Sequence, residues 1–218
     1  LKTNKILLKD RISINKLRFI SYRYPTELEK IKIIKKILSK ISLDKQIINS
    51  KDRKKVWYKG WNENKNEFFK NKKEINLIPK YYSARNEKIF RLGGQFVISD
   101  KKFELKFLEL FREWYVNSFF KKYKNIYEFG TGSGHNLIAI NKILKNKNLY
   151  GLDFVKPSVD LVNSFKKKFK INVNAMLFDM QKPNYKFKIK NDSIVFTKGS
   201  LEQLGGKVEN FIDYLIKN

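Results

Sequence analysis

Three glycines at alternate positions, Gly130, Gly132 and Gly134 in "YEFGTGSGHN", stand behind an acidic residue, Glu128, at the end of a short apolar run. This stretch restricts the fold more than any other in the chain. Glycine adopts positive φ at little cost, so the spacing predicts a tight turn, and a helix beginning beyond it offers unpaired N–H groups to a ligand. The flanking sequence fits a strand before the turn and a helix after it. "NIYEFG" is a short apolar run, "HNLIAINKILK" is helical, "NLYGLD" is again a short run, and "PSVDLVNSFKKKF" is helical with Pro157 suited to its first turn. "INVNAMLFD" and "DSIVFT" read as extended. Strands alternating with helices imply an α/β fold with a parallel sheet and right-handed crossovers, and such sheets bind ligands at the carboxyl ends of their strands.

Upstream the rhythm is different. Residues 25–41, "PTELEKIKIIKKILSKI", predict a helix: Thr26 can cap, Glu29 completes a capping box, and Leu28, Ile31, Ile34, Leu38 and Ile41 recur at helical spacing with lysines on the other face. "VWYKGWNENKNEFF" suggests a loop, from Gly60 and its asparagines. Residues 77–100 suggest irregular structure or a short hairpin around Gly93-Gly94, and Asp100 then opens a helix to about Tyr123. The expected division is therefore a mainly helical or irregular N-terminal lobe over 1–99, a possible acceptor cap, followed by an α/β domain over 100–218.

Composition limits the chemistry. With 218 residues, 42% of them hydrophobic, the chain can bury a real core. It has no cysteine, which excludes disulfides, thiolate metal sites and a cysteine nucleophile, and no metal site is expected. No run reaches the length needed to span a bilayer and no secretory signal is seen, so a cytoplasmic protein is the simplest expectation. The formal charge of +27 directs attention to nucleic acid or an anionic membrane. Only seven of the 48 cations are arginine, however, and the chain is rich in lysine, asparagine and isoleucine, so a solvated lysine coat is the simpler reading. The excess is uneven, with 18 basic and 5 acidic side chains in residues 1–60.

The spacing of the glycines narrows the ligand. A dinucleotide fingerprint needs Gly or Ala where this chain has His135, and a phosphate-binding P-loop needs a Gly-Lys-Ser/Thr ending that is absent. What remains, E-x-G-x-G-x-G, resembles the first motif of the class I S-adenosylmethionine-dependent methyltransferases, and the resemblance extends in order through residues 124–204. It implies a Rossmann-like, mostly parallel sheet with flanking helices and S-adenosyl-L-methionine as cofactor. On that resemblance Glu128, Phe129, Gly130, Thr131, Gly132 and Gly134 form the cofactor loop. Asp153, followed by Phe154, closes "LYGLD" and matches the acid that accepts hydrogen bonds from the ribose hydroxyls. Asp179 matches the residue at the adenine amino group, with Phe178 or Met180 against the base. Thr197 ends the fourth strand, in "SIVFTKGSLEQL", which in the family faces the methyl group and its acceptor.

His135 and Glu202 are the candidate catalytic groups, His135 as an orienting group more than a base because a helix N-terminus disfavours its charged form. Arg91 is a candidate partner for the cofactor's carboxylate, with a surface role as the alternative. Trp57, Trp61, Tyr81 and Tyr82 could line an acceptor cleft or form the core of the first lobe. The family's amino-group methyltransferases that act on DNA bases carry a D/N/S-P-P-aromatic signature where this chain has "TKGS", and the pyrimidine-C5 enzymes need the missing cysteine. The expected acceptor is a small-molecule or glycan hydroxyl, and the chain is also similar to methyltransferases associated with surface sugars. RNA methylation through the basic first lobe is a second reading, and a non-catalytic partner subunit a third. The family's sheet has seven strands where four are counted here. The resemblance thus implies a truncated sequence without the C-terminal strands, and an exposed sheet edge capable of self-association.

Overall fold

The computed structural model describes residues 22–43, 53–82, 88–100 and 103–218. They fall into two units, one of residues 22–43, 80–82, 88–100 and 103–115, the other of residues 53–79 and 116–218. This differs from the expected break near residue 100 in both directions: residues 53–79 join the α/β unit, while 103–115 join the segment before them.

In the first unit, β1 (Tyr22–Arg23) and β2 (Lys88–Leu92) flank β3 (Gln95–Ser99) in an antiparallel sheet. The expected hairpin is present. Gly93 and Gly94 both take positive φ, 56° and 83°, as the favoured two-residue hairpin turns demand. Helix α1 (Glu27–Leu43) begins with the anticipated capping box: the Thr26 N–H donates to Glu29 Oε2 at 2.8 Å, and the Glu29 N–H to Thr26 Oγ1 at 3.3 Å. Arg23 grips the same carboxylate with both guanidinium nitrogens at 2.8 Å. Those donors, Arg23 foremost, hold the Glu29 pKa down to about 2. The apolar stripe of α1 is exposed, and Ile33, on another face, is the one buried residue of the helix among those described. Helix α3 (Phe103–Tyr115) stacks Phe103, Phe107 and Phe111 along one side, with Phe90 of β2 stacked on Phe103. Its regular part ends sooner than expected, in a π-helical turn over Val116–Phe120.

The second unit is built on four parallel strands, β4 (Asn125–Phe129), β5 (Asn148–Asp153), β6 (Val173–Leu177) and β7 (Ser193–Thr197), in the order β6-β5-β4-β7. β4 is buried along its whole length, as a strand covered on both faces should be. Its odd residues Tyr127 and Phe129 join Tyr150, Leu152, Phe178, Phe211 and Tyr214 in one aromatic core layer, to which α6 (Val208–Ile216) contributes the last two. Beyond the opposite face lie α4 (His135–Ile143) and α5 (Lys156–Phe169). The order and connections make the fold Rossmann-like. At the amino ends of the strands, side-chain amides run across the sheet: Asn172 donates to Asn148, Asn148 to Asn125 at 2.8 Å, and Asn125 to the Asn191 carbonyl at 2.8 Å.

The stretch expected to be a loop is helix α2 (Arg53–Asn71). Gly60 and the asparagines lower its helix propensity, but Trp57, Trp61, Asn64 and Phe68 fall at i, i+4, i+7 and i+11 and form one stripe. Phe68 is 1% exposed and meets Phe165 and Phe169 of α5 at ring distances of 5.7 and 5.8 Å. Asn64, also buried, donates to the carbonyls of Asn76 and Ile78. Tertiary burial outweighs propensity here. Truncation of Phe68 to alanine should cost about 3–5 kcal/mol in chemical denaturation, whereas a loop aromatic would cost a fraction of that.

Candidate functional site

The strand order places the glycine loop at a particular spot. From β4 the chain steps outward through β5 to β6, then crosses back to lay β7 on the other side of β4, so the order reverses between β4 and β7. Crevices at the carboxyl end of such a reversal are where sheets of this type bind ligands. Phe129 and Thr197 end their strands in register with each other and with Leu152, one residue before the end of β5, and the loop leaves directly from Phe129.

Each glycine has positive φ: 74° at Gly130, 55° at Gly132 and 70° at Gly134. The space that their side chains would take is filled from within the protein. A Cβ on Gly130 would lie 2.6 Å from Ser200 Cβ, one on Gly132 would lie 2.5 Å from the Trp61 indole, and one on Gly134 would meet Phe165 and Val162. Backbone bonds fix the turn further, with the Gly130 and Thr131 N–H groups both donating to the Leu152 carbonyl and Gly134 N–H to Thr131. Glu128 is 1% exposed. Its Oε2 accepts from the Thr131 hydroxyl at 3.0 Å and its Oε1 from Asn136 at 2.6 Å. The acid that opens the motif thus braces the loop and the start of α4 from below.

Asp153 is the second brace. Its Oδ2 accepts the Gly132 N–H at 2.8 Å and its Oδ1 the Val155 N–H at 3.2 Å. Ser158 of α5 donates to the Gly132 carbonyl. Burial lifts the Asp153 pKa to about 6, against the lowering effect of the Gly132 and Val155 N–H donors. Ser158 and the Phe154 N–H are further hydrogen-bond partners of this carboxylate, so its roughly four acceptor positions are met from within the protein. Asp179 is different: it is exposed, and its Oδ1 accepts the Gln181 N–H at 2.9 Å just beyond β6.

The remaining expected residues divide. Met180 sits beside Gly130, its Cε 3.5 Å from where a Cβ would be, and Thr197 and Phe154 are half-buried at strand ends. Phe178, expected against a base, instead belongs to the core, edge-on to Phe129 and packed on Tyr214, because the strand alternation at β6 turns it inward. His135 is half-buried in the first turn of α4. Glu202 is exposed in a short turn over Leu201–Gln203, with Oε1 3.7 Å from the Cβ position of Gly199. Arg91 stays within its own hairpin, donating to the Gly94 carbonyl at 3.4 Å and lying over the Phe96 ring. Tyr81 and Tyr82 pack on each other in the first unit.

Trp61 and Ser200 are functional-site neighbours that sequence reasoning did not assign to the loop. Trp61 lies against Gly132, and Trp57 stacks on it at 5.6 Å. Ser200 donates to the Phe129 carbonyl at 3.1 Å and ties the loop after β7 to the end of β4. The helical spacing of Trp57 and Trp61 was the signal for the first. Among the described residues, no group of three or more His, Asp or Glu side chains is placed to hold a metal.

No family model matches the chain, and no curated protein matches it. A protein-L-isoaspartate O-methyltransferase is a neighbour among solved structures, with a TM-score of 0.33 and 13% identity over 63% of this chain and 47% of that one. The match thus spans about half of that protein, and the fold assignment rests on strand order and connection, not on this likeness.

Two outcomes follow from the loop. Gly132→Ala should lose about 2–4 kcal/mol, combining left-handed backbone strain with the clash on Trp61, and Trp61→Ala in the same chain should return the clash part in a double-mutant cycle. Asp153 sets a pH dependence. Its carboxyl is neutral in both states at low pH, and between the ordinary 3.8 and the folded value of about 6 only the unfolded chain ionises. Its contribution is therefore full below about pH 4 and falls by roughly 3 kcal/mol as pH rises through about 6. The stability of Asp153→Asn measured relative to wild type by denaturation should rise by that amount between those limits.

Proposed function

We propose that the protein is an S-adenosylmethionine-dependent methyltransferase acting on a small-molecule or glycan hydroxyl. The observation that supports this best is the E-x-G-x-G-x-G loop at the strand-order reversal, with an acid at the end of β5 and another just past β6. The residues present fit such a cofactor. The loop is already held in shape, Asp153 closes β5 beside it, and Asp179 exposes a carboxylate where an exocyclic amine could donate.

Bound S-adenosylmethionine supplies an electrophilic methyl group on a sulfonium that is already a good leaving group. The chain then has mainly to align the two partners. The loop from Gly130 to Gly134 would support the methionine portion, and Thr197 with the turn after it would face the acceptor. Removal of the hydroxyl proton falls to Glu202, whose exposed carboxylate lies on that turn; His135 would orient the loop from the head of α4.

Calorimetric titration with S-adenosylmethionine and S-adenosylhomocysteine tests this reading. Asp179→Ala is the informative variant, since its side chain is exposed and its loss should leave the fold intact while weakening binding about tenfold, the value of one charge-assisted hydrogen bond. Failure of the folded wild-type chain to bind either ligand would overturn the proposal. Methyl transfer to a sugar hydroxyl should vary little with salt. A steep loss with rising salt would instead mark a phosphate-bearing acceptor such as RNA.

A further inference from the structure

An apolar face on a surface helix is ordinarily turned to the core. On α1 it is turned outward: Leu28 is 73% exposed, Leu38 59% and Ile41 68%, with Ile31, Ile34 and Ile37 each at least 40% exposed. At 100° per residue Ile31, Ile34, Ile37, Leu38 and Ile41 share one arc, into which Glu27 and Lys30 of the first turn also fall, while Leu28 lies outside it beyond Lys35. Lys32, Lys35 and Lys36 are carried on the remainder and are exposed. Both acids of the helix are engaged near its start, Glu29 by Arg23 and Glu27 by Lys30. The net charge that the helix presents is therefore positive. Tyr24, 59% exposed, and Tyr22, 42% exposed, stand just ahead of its first turn and pack edge to face on each other.

We infer that α1 is a docking element for an anionic membrane surface. An exposed aliphatic stripe flanked by lysines, on a helix that carries amphipathic tyrosines at one end, is the pattern of helices that lie in the headgroup region. α1 is not long and apolar enough to cross a bilayer, so it lies on the surface. The two halves of the pattern need each other. Phosphate docking on a nucleic acid would use the lysines and leave six aliphatic side chains in water. Pairing with a second copy would bury the aliphatics but bring two sets of lysines together, which costs affinity. Only an acidic, apolar-cored surface satisfies both.

The test is co-sedimentation of the whole chain with vesicles of phosphatidylcholine alone and of phosphatidylcholine with phosphatidylserine. Binding to the anionic vesicles should exceed binding to the neutral ones by about fivefold for each lysine engaged, and should weaken as salt rises. Leu38→Asp with Ile41→Asp should abolish binding. Both positions are exposed, so helicity by circular dichroism should be retained. Lys32→Glu with Lys36→Glu should remove the preference for phosphatidylserine by a separate route. Equal partition onto both vesicle types, or none, would overturn the inference. So would anionic binding that survives the aspartate variant, since a general lysine coat would then explain it. A wild-type dimer in light scattering that the aspartates dissociate, without vesicle binding, would assign the face to a second copy instead.

Discussion

Everything at the carboxyl end of the sheet depends on one buried carboxylate accepting one backbone N–H. Asp153 closes β5, yet it reaches across to Gly132 in the loop that follows β4 and to Val155 at the head of α5. The loop, two strands and a helix thus share a single hinge of hydrogen bonds. Ser158 closes the link by donating to the Gly132 carbonyl. Burying that charge is unfavourable, as the raised pKa records, and the donors around it offset the penalty only in part. The loop is consequently held in shape before any ligand arrives, which is what a site built from bare backbone needs if binding is not to bear the cost of ordering it.

The glycines meet two demands. Their positive φ values create the turn, and their missing side chains admit Ser200, Trp61 and the Phe165–Val162 pair. The second demand explains why α2 belongs with the sheet. Its indole at Trp61 fits only because Gly132 has no Cβ, and its Phe68 is locked between rings of α5. Close packing from within the protein thus fixes the backbone of this loop.

The second half of the chain was legible because its signals are local and regular. Four short apolar runs, each ending in a turn, became β4 to β7, and the capping box at Thr26 and Glu29 formed as read. α2 was misread because Gly60 and four asparagines outweigh, by propensity, a stripe whose worth appears only when Phe68 is buried. The division expected near residue 100 differs from the two units for the same reason: nothing along the sequence says that residues 53–79 group with strands that begin some fifty residues later. Phe178 shows the limit within the site itself. Motif order put it near a base, but the alternation of the strand leading to it turns the ring into the core with Phe129 and Tyr214. The second use of Asp153, as a brace for Gly132, left no trace in spacing because hydrogen bonds to backbone carry no sequence signature at the acceptor's partner.

The amide links at the opposite end of the sheet bear on how this unit assembles. Asn172, Asn148 and Asn125 meet only when three parallel strands lie at a single offset, and the last donates to a carbonyl 66 residues downstream. Parallel pairings over such separations form late and slowly, and a slip by one residue would turn each of these side chains to the wrong face. The asparagines act, in effect, as a vernier: misaligned strands can collapse together, but three neutral links fail at once, so the correctly aligned sheet is set apart from its near neighbours without adding any charge to a chain that already carries +27.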